Sequence, residues 1–357
     1  MEPHAYKFFL RAKDAWDGAY AACEGAKRSI LFENFILVDD SVGRRFIDLF
    51  KKKAREGVKV RLLLDAVGSS ELLHLHLDNE LERSGAELVF FNSVIPGMLS
   101  HRTPWFFRDH RKLIVVDSEI AFTGGVCFQE HMADWRETTA RAEGPVAEEM
   151  EQAFDEMWEY AHKRGKLSRE RVRLGGARKH AFLGNAPLPR RRHLYHELLE
   201  RVRSAKERIF LTTAYFAPNR RLLRALLRAA RRGVTVRLLL PRTSDIMLIN
   251  IASRSYFDRL LRAGVRIFLY GPEMLHAKAA VIDGFGTVGS MNLDHLSLQY
   301  NFEGNLVSSD DGFVGALRRQ FDGDSAEAEE VTLAKWRARP WHDRLLEYAV
   351  RPVRFLL

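Results

Sequence analysis

The chain has 357 residues, 46% of them hydrophobic and 29% charged, with a net charge of +9. That content excludes a disordered chain, two cysteines (Cys23 and Cys127) exclude a disulfide scaffold, and no run approaches the length of uncharged apolar sequence that a membrane-spanning helix needs. The positive balance favours an anionic partner: nucleic acid, acidic phospholipid or a phosphorylated small molecule.

In chain order, the N-terminus lacks a basic flank followed by a long apolar core, so no signal peptide is expected. Residues 27–36 read as a strand. Residues 43–56 read as a basic amphipathic helix that Gly57 stops, and Val58-Lys-Val-Arg-Leu-Leu-Leu as a buried strand. A further helix ends at Ser84-Gly85, and another strand runs to residue 91. The same outline returns at residues 207–216, 220–232 and 234–240, with Gly233 as the stop and Val-Thr-Val-Arg-Leu-Leu-Leu as the strand. Its last helix ends at Ala263-Gly264. Alternating strands and helices predict an α/β fold: two tandem α/β/α halves with mixed sheets, related by a pseudo-twofold axis, sharing one site at their interface.

Each half then presents the same pattern. His110-Arg-Lys112 is followed by Asp117 and runs to Gly124-Gly125; His276-Ala-Lys278 is followed by Asp283 and runs to Gly289-Ser290. On a strand, residues i and i+2 share a face, so His110 projects with Lys112 and His276 with Lys278. Around one phosphodiester, a neutral imidazole can attack phosphorus. A second, protonated imidazole can protonate the leaving alkoxide, and two lysines can stabilise the non-bridging oxygens. The lysines supply positive charge without a metal, and no cysteine pair or His-Glu-x-x-His run points to zinc.

The halves differ before the motif. From Gly85 to His110 is 25 residues, against 12 from Gly264 to His276. The excess, residues 92–107, reads as a lid, a lipid-facing loop or a surface loop packing its own aromatics. Residues 161–193 hold eleven Lys or Arg against Glu170 alone, a solvated linker or a contact for an anionic surface. Residues 336–357 interleave tryptophan, leucine and arginine, as an interfacial segment or a last helix docked on the core would. The expected layout is a first half over 1–160, a basic linker over 161–193, a second half over 194–335 and an amphipathic tail over 336–357.

These residues resemble the phospholipase D superfamily, and within it the bacterial cardiolipin synthases. The resemblance rests on Arg108-Asp-His-Arg-Lys through Gly125, Asp65-Ala-Val-Gly-Ser69, Ala214-Tyr-Phe-Ala-Pro218, and Met274-Leu-His-Ala-Lys278 through Ser290, Asn292 and Glu303. It implies a phosphatidyl-histidine intermediate and transfer to an alcohol, with no cofactor. By carry-over His110 is the nucleophile and His276 the general acid and base. Lys112, Lys278 and Asn292 bind phosphate, Ser290 assists, and Asp117 and Asp283 orient and charge-balance the site. Glu303 matches an acidic residue of the synthase pattern, and Gly125 borders the site. Cys127 stands where the family often has Asn, which removes one phosphate-binding amide; a lone cysteine after such a turn reads as a small packed residue. The second motif has one residue fewer between Asp283 and Gly289 than expected, which predicts a tighter turn near Gly284-Phe-Gly286. The implied partners are an anionic membrane surface and phosphatidylglycerol, alone or with phosphatidylethanolamine, approached from the cytoplasmic side by a peripheral protein. Hydrolysis of a phospholipid is the near alternative. A nuclease and a non-catalytic lipid-binding scaffold are the more distant ones.

Overall fold

The computed structural model describes residues 6–93, 104–162, 167, 174, 175, 178–341 and 350. The first half forms a seven-stranded sheet from β1 (Tyr6–Arg11), β2 (Ser29–Asn34), β3 (Lys59–Asp65), β4 (Glu87–Phe91), β5 (Leu113–Val116), β6 (Ile120–Thr123) and β7 (Arg136–Glu143). Their order is β1-β7-β6-β5-β2-β3-β4. β2, β3 and β4 are parallel; the other pairings are antiparallel. Helices α1 (Ala12–Glu24), α2 (Ser41–Arg55), α3 (Ser70–His74), α4 (Leu77–Arg83) and α5 (Pro145–Ala161) cover it.

The second half has β8 (His180–Asn185), β9 (Arg208–Thr212), β10 (Thr235–Pro241), β11 (Arg266–Tyr270), β12 (Ala279–Ile282), β13 (Phe285–Gly289), β14 (Glu303–Ser308) and β15 (Glu329–Val331). Its helices are α6 (His193–Ser204), α7 (Arg220–Arg231), α8 (Met247–Arg254), α9 (Phe257–Arg262), α10 (His295–Gln299), α11 (Asp311–Ala326) and α12 (Leu333–Ala338). The order β8-β14-β13-β12-β9-β10-β11 repeats the first sheet, with β15 added at the edge.

Local chemistry sets the repeated units. Asp40 caps α2 by accepting from Val42 and Gly43, and Asn219 caps α7 by accepting from Arg221 and Leu222. Gly57 at φ +88° and Gly233 at φ +91° end those helices in the left-handed region. The strands that follow, β3 and β10, are central in their sheets, which is why they read as near-continuous apolar runs.

The expected start of the second half at 194 is too late. β8 lies within the span assigned to the linker, yet it is the edge strand paired with β14. Its Ala-Phe-Leu core is short, and the basic residues around it dominated the composition of the span. Residues 163–166, 168–173, 176 and 177 of that span lie outside the described residues, as do 94–103 of the insert and most of the tail. Of the tail, Trp336 is buried against Phe257 at 4.9 Å between ring centroids, whereas Trp341 is exposed.

Two of the four apolar cores formed by the described residues cross between the halves. One packs α5 and the first sheet with Phe182, Ala186 and Phe302. The other packs α11 and the second sheet with Ala140, Ala142 and Val146. Burying a Phe side chain contributes about 2–3 kcal/mol, so each half uses the other to complete its core.

The motif aspartates belong to this framework. Asp117 at φ +54° and Asp283 at φ +47° occupy the left-handed region, which Asp tolerates better than most residues. Asp117 accepts from the backbone N–H of Lys27 (2.9 Å), Arg28 (2.7 Å) and Ser29 (2.8 Å). Asp283 accepts from Lys206 (2.9 Å), Glu207 (3.0 Å) and Arg208 (2.9 Å). Burial opposes their ionisation, yet these donors hold both acids below their usual range. Each stitches a hairpin to the start of β2 or β9. The β12–β13 turn contains only Asp283 and Gly284, against Asp117, Ser118 and Glu119 between β5 and β6, so the second turn is indeed the tighter. Phe285 and Gly286 already belong to β13.

Asp283→Ala is therefore expected to lower unfolding free energy by about 1–3 kcal/mol while leaving kcat within a few-fold. Urea denaturation and steady-state kinetics test this; a large kcat loss at unchanged stability would return the aspartate to the reaction centre.

Candidate active site

His110 and Lys112 lie on the extended segment leading into β5, and His276 and Lys278 on the one leading into β12. Side-chain alternation holds there. Arg111 turns away to pair with Glu33 (Nε at 2.8 Å) and to donate to the Ala153 carbonyl of α5. The loop after β3 buttresses the first segment: Asp65 accepts from Asp109 N–H at 2.9 Å and faces the Arg108 guanidinium at 3.3 Å. Ser69 ties the same loop to the Phe35 carbonyl, and the Phe35 ring stands edge-on to His110 at 5.2 Å. This gives the Asp65–Ser69 stretch its structural purpose.

Both lead-in segments hydrogen-bond across the halves. His110 N–H donates to Phe302 O at 2.9 Å, and Phe302 N–H donates to Arg108 O at 2.9 Å. Reciprocally, His276 N–H donates to Arg136 O at 2.8 Å, and Arg136 N–H donates to Met274 O at 2.9 Å. Phe302 directly precedes Glu303, and Arg136 directly precedes Glu137. Each glutamate is thus delivered to the histidine of the opposite half. Glu303 places both carboxylate oxygens 3.0 Å from His110 Nδ1. Glu137 Oε1 lies 2.5 Å from His276 Nδ1. When ionised, each carboxylate only accepts, so Nδ1 then carries the proton and Nε2 is the working nitrogen of the ring.

The orienting acids are therefore Glu303 and Glu137, and the expectation that Asp117 and Asp283 orient and balance the site is corrected. From Lys112 to Asp117 the strand rises about 16 Å, which puts the aspartate at the far end. Glu137 was missed in the sequence. Its signal is the repeat: Glu137 follows Gly125 by 12 residues and Glu303 follows Ser290 by 13, each at the start of a strand.

The remaining expected residues fall as follows. Lys112 Nζ donates to the His110 carbonyl at 2.8 Å, and Lys278 Nζ to the His276 carbonyl. Both ammoniums are buried. Gly125 is sterically required: a Cβ there would meet Glu137 Oε2 at 2.7 Å and both His276 O and Lys278 Nζ at 2.9 Å. Ser290 Oγ donates to Glu303 at 2.5 Å and accepts from Gly304 N–H at 3.0 Å, so it fixes the carboxylate. Asn292 is buried, its amide carbonyl within 3.3 Å of the Thr213 hydroxyl, which leaves its NH2 for a ligand. Cys127 occupies the Asn292 position of the first half but packs in the core, and burial pushes its thiol up. It is not a poised thiolate.

Charge completes the site. Burial, then Lys112, Lys278 and His276, hold His110 well below the usual imidazole range. Burial and Lys278 also lower His276, but Glu137 opposes them. Burial brings Lys278 down to about 8 and raises Glu303 to about 8. Among the described residues no cluster of His, Cys, Asp and Glu could hold a metal ion.

Two repeats that lend each other a glutamate, around paired His and Lys side chains, define a protein of the phospholipase D class. The fold is that of the crystal structure of phosphatidylserine synthase from Haemophilus influenzae, with a TM-score of 0.74 over 99% of this chain and 95% of that one, at 13% identity. The model of the family described as "Cardiolipin synthase, PLD-like domain" matches residues 21–158 and 198–325. The chain is 30% identical to the probable cardiolipin synthase YwiE of Bacillus subtilis, over 97% of this chain and 71% of that protein. It is 33% identical to cardiolipin synthase B of Salmonella typhimurium, over 91% of this chain and 82% of that protein. The chain belongs to the cardiolipin synthase family of phospholipase D-like proteins, and it is an enzyme of the phosphatidyltransferase type.

With Glu303 required as the carboxylate and Lys278 as the ammonium, kcat/KM is expected to rise toward pH 8 and fall above it, since both groups titrate at about 8. Lys278→Arg should remove the falling limb. Glu137→Gln and Glu303→Gln should keep the fold and lose roughly 100-fold or more in kcat. A flat pH–rate profile, or near-normal rates in both glutamine variants with an unchanged circular dichroism spectrum, would contradict the crossed pairs.

Proposed function

We propose that the protein is a cardiolipin synthase-like phosphatidyltransferase that works through a phosphatidyl-histidine on His110. The observation that carries this reading is the pair of crossed His–Glu contacts around two buried lysines. Nε2 of neutral His110 attacks phosphorus; a P–N bond forms and the P–O bond to the headgroup breaks. His276, protonated and braced by Glu137, passes its proton to the departing alkoxide. Neutral His276 then takes a proton from an incoming headgroup alcohol, whose oxygen attacks phosphorus as the P–N bond breaks. Lys112, Lys278 and the Asn292 NH2 meet the negative charge on the non-bridging oxygens.

Two features support this division of labour. Burial and the cations Lys112 and Lys278 dominate at His110 and hold it well below the usual imidazole range, whereas Glu137 opposes the lowering of His276. The His110 side chain is also the more open, 13% exposed against 6% for His276. The relatives named cardiolipin synthases support cardiolipin as the product; the substrates in this reading are two phosphatidylglycerols, or one paired with phosphatidylethanolamine.

The enzyme meets its lipids at an anionic membrane surface on the cytoplasmic side, in this reading. Among the described residues no helix is long and apolar enough to cross a membrane. Instead Trp105 (70% exposed) and Phe106 on the segment before β5, Met247 (76% exposed) and Leu248 at the start of α8, and Leu296 in α10 stand at the end of the sheets that bears the His–Lys pairs. Side chains of this type partition into the headgroup boundary.

Purified protein in phosphatidylglycerol micelles with EDTA is expected to yield cardiolipin and glycerol by mass spectrometry, and His110→Ala and His276→Ala should yield neither. Wild type quenched in detergent at mildly alkaline pH, where the P–N bond survives, should carry a phosphatidyl adduct on His110. Phosphatidic acid as the sole product would make the enzyme a hydrolase, and cleavage of DNA or RNA with no lipid product would overturn the substrate class.

Trp105→Ser combined with Met247→Ser should weaken binding to anionic vesicles on the order of tenfold without changing turnover of a monomeric short-chain lipid. Unchanged vesicle sedimentation would remove these side chains from the membrane contact.

A further inference from the structure

Beside the reaction centre, the second half carries a basin of about 930 Å3 whose lining includes Arg192, Arg220, Arg221, Arg224, Arg259 and His295, and no Asp or Glu. The chain segments that build it also build the site. Tyr215, its ring 6.2 Å from that of His276, leads into Ala217 and Pro218 of the basin wall. Asn292 leads through Leu293, bridged to Phe216, to His295. The basin therefore adjoins the His276 side.

Its charge is uncompensated. None of these five guanidiniums forms an ion pair with a carboxylate of the described residues. Arg192 donates to the Gln299 carbonyl at 3.2 Å, but its Nε is buried without a partner, and burial pulls its basicity down. Arg220, Arg221, Arg224 and Arg259 are exposed and Arg192 is half-buried; grouped cations without a counter-ion repel one another, and an arriving anion relieves that repulsion. The first half provides an internal comparison, because its equivalent surface is neutralised. There the α2 cap is Asp40 where α7 has Asn219; Arg44 pairs with Asp39 at 2.6 Å and Arg45 with Asp17 at 2.7 Å. The second half has arginines at this surface without those acids.

We propose that this basin holds the non-reacting phosphodiester of the acceptor phospholipid while its headgroup hydroxyl reaches the phosphorus on His110. The proposal rests on the transferase reading. The donor phosphate is met by Lys112 and Lys278, so a second lipid phosphate needs its own cations, and guanidiniums bind phosphate oxygens in pairs. Its place beside His276 suits the acceptor, whose proton that histidine takes. Water and glycerol carry no phosphate, so the basin favours transfer to a lipid over hydrolysis.

The test is the triple variant Arg220→Gln, Arg221→Gln, Arg224→Gln, assayed with one short-chain donor and three acceptors. The KM for phosphatidylglycerol as acceptor is expected to rise on the order of tenfold or more, with hydrolysis and transfer to glycerol unchanged. Unchanged transfer to phosphatidylglycerol, or an equal fall with glycerol, would overturn the proposal. A second arm needs no turnover. His110→Ala protein titrated calorimetrically with dihexanoyl phosphatidylglycerol should bind two molecules, and one after the triple substitution is added. This arm separates the basin from the chemistry: a wild type that transfers nothing defeats the transferase reading, whereas an unchanged stoichiometry defeats the basin. Inorganic phosphate binding the basin as tightly as the lipid, duplex DNA binding lost only in the triple variant, or loss of vesicle binding with monomeric-lipid binding intact would each overturn the acceptor assignment.

Discussion

Each motif imidazole of this protein is held by a carboxylate from the opposite half. His110 lies against Glu303 and His276 against Glu137, and two backbone bridges place these acids by fixing the residue before each. Neither half has a complete site without its partner, and neither has a complete core, since Phe182 and Phe302 finish the first and Ala140, Ala142 and Val146 finish the second. The same exchange explains why Gly125 has no side chain. The turn of one motif lies so near His276, Lys278 and Glu137 of the other pair that a single methyl would displace them.

The electrostatics follow from burying that exchange. Two lysines and two histidines share a nearly closed space with two glutamates, so positive charge is in excess and the imidazoles are driven neutral. In the proposed transfer a neutral His110 is what the nucleophile requires, but a neutral His276 is the wrong state for the acid. The substrate resolves the conflict. A phosphodiester arriving in this space brings the negative charge that the lysines and imidazoles lack, and a nearby anion raises an imidazole's affinity for protons. His276, already braced by Glu137 at 2.5 Å, is the ring that gains most. The acid is then charged by the substrate it acts on, and the empty enzyme need not bury an imidazolium at rest.

Much of this was legible in the sequence. The duplicated His-x-Lys spacing identified the four central side chains, and the matching runs of β3 and β10 identified the repeat, because central strands are apolar on both faces. The edge strands were not legible. β1 mixes Lys7 and Arg11 with aromatics, and β8 is a short apolar run inside a basic stretch. The aspartates were misread because they travel with the motif; what recurs is a left-handed turn whose carboxylate collects three amides, a framework requirement that spacing alone does not separate from catalysis. Glu137 escaped for the opposite reason. In Arg-Glu-Thr-Thr it looks like one acid on a polar strand, and only the position of Glu303 in the other repeat shows what it faces.

A duplicated fold with a pseudo-twofold axis would offer two equivalent histidines, and a two-step transfer needs them to differ. The differences lie around the motifs. Gly125 and Cys127 in one turn become Ser290 and Asn292 in the other, so one glutamate receives a serine hydroxyl and the other does not. Arg111, tied to Glu33, becomes Ala277, and the acidic cap of α2 becomes the neutral cap of α7. Each change leaves the backbone frame intact and alters only what charge or hydrogen bond reaches a shared centre. The frame therefore fixes where the two rings are, and in the proposed transfer the substitutions around it decide which attacks and which gives up its proton.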